Sequence, residues 1–384
     1  MNFEFATATR IVFGRGAAAG IGAEAAALGR HAFVLTGSRP ERSNSLLHQL
    51  DNHHVRHTLF RVAQEPTTEL VLDAVRQAAA GDCDLVIGAG GGSVIDAGKV
   101  VAALLTNGGD PMDYLEVIGS GRALQRMSAA FIAVPTTAGT GAEVTRNAVL
   151  ESRAHRVKVS MRSPFMLPRL ALVDPELTFS MPPDLTAATG LDALTQLLEA
   201  FVGRSANPLT DAICREGLAR AARSLLPAFR NGNDPAARED MCLASLCGGL
   251  ALANARLGAV HGLAGPFGGA FKAPHGAVCG RLLPFVAAAN LAALRRRASA
   301  SPSAARFEEL AGILTAKPSA GADEGIAWLR SLCDRLNVPR LSTYGFTLEH
   351  SPDLIAKSIR SSSMRGNPID LTAEELETVL EQAC

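Results

Sequence analysis

In the first half of the chain, short apolar runs are separated by stretches with helical spacing. Residues 31–36, 57–62, 84–88 and 131–135 are such runs, and the first ends in Gly37-Ser38, a turn signal. Each reads as a strand. Between them, residues 67–80 place Leu70, Val71, Ala74, Val75 and Ala78 at helical intervals, and residues 93–105 form a second helical stretch. Strand–helix alternation at this spacing implies parallel strands joined by crossover helices, an open α/β sheet.

Near residue 180 the pattern changes. Asp174-Pro175 and Met181-Pro182-Pro183-Asp184 punctuate the chain, and alanine- and leucine-rich helical stretches follow with almost no β-branched runs. These predict helices over 184–203, 208–230, 235–256, 276–296, 303–315, 321–337 and 372–383, with Asp184 as an N-cap and Gly203 as a terminator. The expected architecture is an α/β N-terminal domain over 1–180 and an all-α C-terminal domain over 181–384. A chain of 384 residues exceeds the size of one hydrophobic core, which agrees with two domains. No fixed-period repeat is present.

Composition narrows the function. Basic and acidic residues cancel at 37 each, and no long basic run stands out. No net field draws the chain to nucleic acid or to an anionic membrane. No stretch of about 18 uncharged apolar residues predicts a membrane span, and the first ten residues lack a secretory pattern. The seven cysteines form no CxxC pair and are odd in number, which fits reduced thiols in a cytoplasm and a reading as buried small hydrophobes.

Three groups of residues carry candidate chemistry. The first is DLVIGAGGGSVIDAGKVVAALL (84–105), a strand, a glycine-rich turn and a helix. Gly88, Gly90, Gly91 and Gly92 admit backbone N–H groups close to an anion, the helix N-terminus adds its dipole, and Ser93 adds a hydroxyl. The spacing departs from the dinucleotide fingerprint where a third glycine is expected, and Lys99 lies too far inside the helix to act as a phosphate-loop lysine. The competing reading is a tight turn that needs glycine for positive φ. The second group is PTTAGTGAE (135–143), either hydroxyl and backbone donors for the same ligand or a helix-capping loop. The third is Asp192, His261 and His275. Each histidine precedes a glycine in a run with few charges, and Asp192 shares a helix face with Gln196 four residues on. A carboxylate with two imidazoles suits Zn²⁺ or Fe²⁺ and leaves positions open. Core histidines and a solvated aspartate remain the alternative.

Together these segments resemble the iron-containing (group III) alcohol dehydrogenases over nearly the whole chain. The carrying segments are GAGGGSVIDAGK, PTTAGTGAEVT, the lysine of VKVS, LVDPELT, TGLDALTQLLEAF, GAVHGLAGPFGG, APHGAV and GNPIDLT. The resemblance implies a dehydroquinate synthase-like architecture: a dinucleotide domain, a helical domain, and a cleft between them holding nicotinamide and metal. It places Gly91, Gly92, Ser93 and Asp96 at the pyrophosphate, Thr136, Thr137 and Thr140 at the pyrophosphate and nicotinamide, and Lys158 and Leu177 along the cofactor. It gives Asp192, His261 and His275 as metal ligands and catalytic residues, with Asn147 near nicotinamide or substrate. The implied reaction is hydride transfer between NAD or NADP and a small alcohol or aldehyde, with Fe²⁺ or Zn²⁺, in a homodimer or larger homo-oligomer.

Three departures qualify that expectation. Gln196 stands where the family pattern has a fourth metal-binding histidine, leaving an amide as a weak fourth ligand or an outer partner. Gly265 stands where a histidine often assigned to proton relay is common, so protonation falls to water at the metal or to a ribose hydroxyl. After the first strand, Gly37, Ser38 and Arg39 replace the carboxylate of NAD-preferring members, which favours NADP(H) because Ser38 and Arg39 suit a 2′-phosphate. Other readings are a metal-free reductase like the maleylacetate reductases, a lyase like dehydroquinate synthase, and a catalytically weak NADP(H)-binding protein. The lyases require several basic residues that the C-terminal segments do not supply.

Overall fold

A computed structural model describes residues 2–155 and 157–384. The chain divides into two compact units. One comprises residues 6–137 and 141–178; the other comprises residues 138–140, 179–384 and the N-terminal residues up to 5.

The first is a sheet unit. Its elements are β1 (Ile11–Phe13), α1 (Ile21–Ala26), β2 (His31–Thr36), α2 (Asn44–Asn52), β3 (Arg56–Arg61), α3 (Thr68–Ala80), β4 (Leu85–Gly90), α4 (Gly92–Asn107), α5 (Pro111–Tyr114), β5 (Ala130–Pro135), β6 (Asn147–Ser152), β7 (Val157–Arg162) and β8 (Leu170–Val173). Six strands lie in the order β1-β8-β5-β4-β2-β3, all parallel, as the strand–helix alternation predicts. Side chains alternate between two cores. Phe33, Leu35, Val86, Phe131 and Ala133 pack to one face; Ala32, Val34, Leu85, Ile87, Ile132 and Val134 pack to the other. The chain runs from β2 outward to β3, then crosses back to β4 on the other side of β2. That reversal makes a switch point, where open α/β sheets bind ligands beyond the strand carboxyl ends.

The β6–β7 antiparallel pair was not predicted; it packs on α4 through a shared apolar core and through buried polar groups. Lys99 is fully buried, and its Nζ donates to Thr145 Oγ1 and the Asn147 carbonyl, both at 2.8 Å. Asp96 Oδ2 accepts the Val149 N–H at 3.0 Å, and Asp96 lies 3.6 Å from Lys99.

The helical unit contains α6 (Pro183–Val202), α7 (Pro208–Arg230), α8 (Pro235–Ala255), α9 (Ala259–Phe271), α10 (His275–Arg297), α11 (Pro302–Thr315), α12 (Ala322–Arg335), α13 (Ser351–Ile359) and α14 (Ala373–Ala383). At its centre, α6 is buried on every side from Gly190 to Val202 and is packed by α7, α8 and α10. Asp184 is not its N-cap. Pro182 holds that position without a side-chain bond, and Asp184 lies within the first turn, where its charge suits the helix dipole. Gly203 does terminate the helix. The helices α9 and α13 are additional to those the sequence predicts; glycines and Pro266 obscure the periodicity of α9.

Among the described residues one helix, α10, is long and apolar enough to cross a bilayer, but 72% of its apolar window is buried inside the protein. Its final arginines pair with Asp323 and Glu375. All seven cysteines are unbridged.

Burial pushes the Glu143 carboxyl up to about 7, against the opposing pull of a backbone hydrogen bond and Lys99. The acid form therefore favours the fold: its contribution is full below the ordinary value of 4.5 and is lost as pH rises through about 7. Replacing Glu143→Gln removes this loss. Denaturant titrations at pH 5 and pH 8 are expected to show the variant gaining on the parent by up to about 3 kcal/mol at the higher pH.

Candidate active site

At the carboxyl end of β4, Gly88, Gly90 and Gly91 lead into Gly92, the first residue of α4. None of Gly88, Gly90, Gly91 and Gly92 has positive φ, so the tight-turn alternative fails on that count. Space is the constraint: a Cβ on Gly90 would stand 2.4 Å from Val94 Cγ2. The cap residue Gly91 offers no side-chain bond to the first turn of α4, which leaves an uncapped N-terminus at the switch point. The threonine loop leaves the adjacent strand β5, with Gly90 paired to Pro135 and the Thr136 N–H donating to the Gly90 carbonyl at 2.9 Å. A Cβ on Gly91 would stand 3.4 Å from the Thr137 side chain. Glycine turn and Thr136–Thr137 thus face one another, a cradle that a larger residue at 91 would fill. Gly37, Ser38 and Arg39 follow β2, the other neighbour of β4, with Ser38 and Arg39 exposed. This fits a phosphate-bearing dinucleotide.

Not all the expected cofactor residues point to that cradle. Asp96 engages the β6 backbone, and Lys158 on β7 pairs with Glu65 at 2.5 Å. Leu177 lies in the short turn after β8, packed against the core. Asn147 begins β6, and its carbonyl holds Lys99. Thr140 belongs to the helical unit.

In the helical unit, α6, α9 and α10 bring Asp192, His261 and His275 together. Asp192 Oδ1 lies 3.2 Å from His261 Nε2 and 3.8 Å from His275 Nε2, and the two rings are 5.4 Å apart. Asp192 and His261 are buried; the His275 side chain is 42% exposed. Gly276 and Gly280 permit this closeness, because Cβ atoms there would stand 2.1 Å from the Ala188 carbonyl and 2.5 Å from Leu191 on α6.

Two carboxylates flank His261. Glu199, seven residues after Asp192 and so on the same face of α6, accepts from His261 Nδ1 at 2.7 Å. It also accepts the N–H of Val260 at 2.6 Å and that of His261 at 3.4 Å. Asn367 takes the Ala259 N–H at 3.0 Å. The first turn of α9 is thereby capped from two directions. With Nδ1 committed as a donor, Nε2 points at the cluster as the donor atom for an ion. Sequence reading missed Glu199, whose signal was an acid two turns after Asp192 in an otherwise apolar helix.

Cys279 was also missed. Its Sγ lies 3.6 Å from His275 Nε2, and donor atoms of Asp192, His261, His275 and Cys279 all lie within 4.8 Å of one another. The thiol follows His275 by four residues on α10 and shares its face, so the reading as an inert buried hydrophobe does not hold here. Burial raises the Cys279 thiol, but the His275 and His261 charges outweigh it and hold the thiol below its usual range. Burial likewise raises Asp192, while the His261 hydrogen bond and both imidazoles bring it below the usual range. Burial lowers His261, yet Cys279, Asp192 and Glu199 drive it well above its usual value. The shifts show acids and imidazoles that stabilise one another's charged forms, and carboxylate, imidazole and thiol donors fit a divalent ion of borderline softness.

Gln196 does not fit as a ligand. Its amide nitrogen faces the Thr140 carbonyl at 3.4 Å and supports the Asp192 carboxylate. Its buried oxygen has no hydrogen-bond partner and lies 2.9 Å from where a Cβ on Gly248 would stand. Turning the amide would set its oxygen against two acceptors. At Gly265 the space is open: no described atom lies within 4 Å of a Cβ there.

Replacing Glu199→Ala leaves buried N–H groups of α9 and His261 Nδ1 without an acceptor. The expected cost, read by denaturant unfolding of the metal-free protein, is about 2–4 kcal/mol.

Comparisons with known proteins place the whole chain in one family. Residues 8–175 match the family model described as iron-containing alcohol dehydrogenase, and residues 186–384 match that of the Fe-containing alcohol dehydrogenase family, C-terminal. The chain is 36% identical over 301 residues to alcohol dehydrogenase 4 of Saccharomyces cerevisiae, covering 78% of this chain and 76% of that protein. A solved 1,3-propanediol oxidoreductase superposes with a TM-score of 0.92 at 30% identity, covering 100% of both chains. Sulfoacetaldehyde reductase from Bifidobacterium kashiwanohense, solved in complex with NAD+, superposes with a TM-score of 0.89 at 28% identity, covering 100% of this chain and 99% of that one.

Proposed function

This chain belongs to the iron-containing alcohol dehydrogenase family, and we propose that it is a metal-dependent, NAD(P)-linked alcohol dehydrogenase working on a small alcohol or aldehyde. The observation that carries the reading is the convergence of Asp192, His261 and His275 donor atoms within the helical unit. When bound, the nicotinamide supplies or accepts the hydride and the divalent ion polarises the substrate oxygen.

The protein's own part is binding and orientation. Asp192, His261 and His275 hold the ion, Glu199 fixes the His261 ring and its tautomer, and the exposed His275 edge marks where small molecules gain access. In the sheet unit, Gly91, Gly92 and Ser93 receive the pyrophosphate at the α4 N-terminus, and Thr136 and Thr137 close over it. Asp96 and Lys99 act by holding β6, and with it Asn147, against α4. No side chain at Gly265 takes part in proton transfer, so that step uses solvent or the cofactor. The unbridged cysteines suit an enzyme of the cytoplasm, and a homo-oligomer is the family expectation we retain.

NADP(H) use is the finer proposal, and it rests on Ser38 and exposed Arg39 at the switch point, where the stretch Thr36 to Arg39 contains no carboxylate. Replacing Arg39→Ala is expected to lower kcat/KM for NADPH by about ten- to a hundredfold while leaving that for NADH nearly unchanged. Equal loss with both cofactors, or with neither, argues against a 2′-phosphate contact.

The activity itself is tested by anaerobic oxidation of NADPH and NADH with a panel of small aldehydes, using metal-stripped protein with and without Fe²⁺ or Zn²⁺. Turnover that returns with metal and is abolished by His261→Ala is the expected result. Turnover indifferent to stripping indicates a metal-free reductase. Tight NADPH binding without turnover under any metal indicates a binding protein.

A further inference from the structure

The three expected ligands leave one corner of a tetrahedron to fill. Bond lengths of about 2.0–2.1 Å to nitrogen or oxygen and about 2.3 Å to sulfur set tetrahedral edges of about 3.3 Å between N or O donors and about 3.6 Å between nitrogen and sulfur. Two of the separations match those edges, 3.2 Å for Asp192 to His261 and 3.6 Å for His275 to Cys279, while Asp192 to His275 is longer, at 3.8 Å. Cys279 Sγ and the His261 donor atom belong to the same group of atoms within 4.8 Å, so sulfur stands near both imidazoles. Gln196, the alternative fourth donor, turns its oxygen toward Gly248.

From this we propose that Cys279 is the fourth ligand of the divalent ion, completing an Asp192–His261–His275–Cys279 set that favours Zn²⁺ over Fe²⁺. The inference rests on the metal centre under Proposed function and extends it. Two of the four donors come from one face of α10, with His275 in its first turn and Cys279 one turn later. The glycines Gly276 and Gly280 stand immediately after them and let that face press on α6. Thiolate is the softest of the donors present, so its inclusion strengthens binding of zinc more than of iron. With four protein ligands around the ion, a substrate oxygen would have to approach it from the partly exposed His275 side of the cluster.

X-ray absorption of the zinc-loaded wild-type chain reads the ligands directly. One sulfur at about 2.3 Å beside nitrogen and oxygen at about 2.0–2.1 Å is expected. A shell of nitrogen and oxygen alone overturns the Cys279 assignment while leaving the metal centre intact, whereas failure to bind one ion per chain overturns both. In the cobalt-loaded protein, a sulfur-to-cobalt charge-transfer band is expected in the wild type and in Cys247→Ser. It should be lost in Cys279→Ser, with zinc affinity reduced at least about tenfold. Persistence of the band in Cys279→Ser overturns the assignment. Because the absorption measurement uses the wild-type chain, a variant that fails to fold does not spare the proposal.

Discussion

The bond from His261 Nδ1 to Glu199, 2.7 Å long and buried, is the constraint on which the chemistry of the helical unit depends. It fixes which ring nitrogen is free and turns that nitrogen toward Asp192. The same carboxylate holds the first-turn N–H groups of α9, so one side chain positions both the helix that carries His261 and the ring itself. A buried carboxylate requires such pairing, because an unpaired charge at the centre of α6 would cost several kcal/mol. The carboxylates of Asp192 and Glu199, with the Cys279 sulfur beside them, make a cation the natural complement of the cluster.

The sheet unit works by backbone and by space. Its parallel order brings the ends of β2, β4 and β5 side by side, and the residues that follow them are glycines, threonines, a serine and an arginine. The uncapped N–H groups of α4 open there, and the turn carries glycine for space and not for positive φ. Behind it, Lys99 and Asp96 bind the β6 strand with buried charge. That arrangement explains a lysine in a stretch of helix that is otherwise apolar apart from Asp96.

Much of this was legible in the sequence. Short apolar runs separated by amphipathic stretches gave the parallel sheet, and alanine-rich periodicity gave most of the helices. Asp192, His261 and His275 stood out because histidines are scarce there and charges few. What stayed hidden depends on helix-to-helix distance. Glu199 looked like one more acid on a helix until α9 was seen to begin against it, and Cys279 looked like core until α10 was seen to press on α6. Gln196 illustrates the converse: its spacing from Asp192 suggested a ligand, but the Thr140 carbonyl orients the amide so that its nitrogen faces the carboxylate. For α9, Gly262, Gly265, Gly268 and Pro266 break the pattern by which a helix is recognised, while the caps that sustain it lie at Glu199 and Asn367, far along the chain.

Among the described residues this cluster alone groups enough donors for one divalent ion, and it is expected to hold one. Anomalous diffraction at the zinc edge from crystals grown with Zn²⁺ tests it most directly. The account predicts a single strong peak within bonding distance of Asp192, His261 and His275. A fully occupied peak elsewhere, or none at the cluster under saturating zinc, would contradict it.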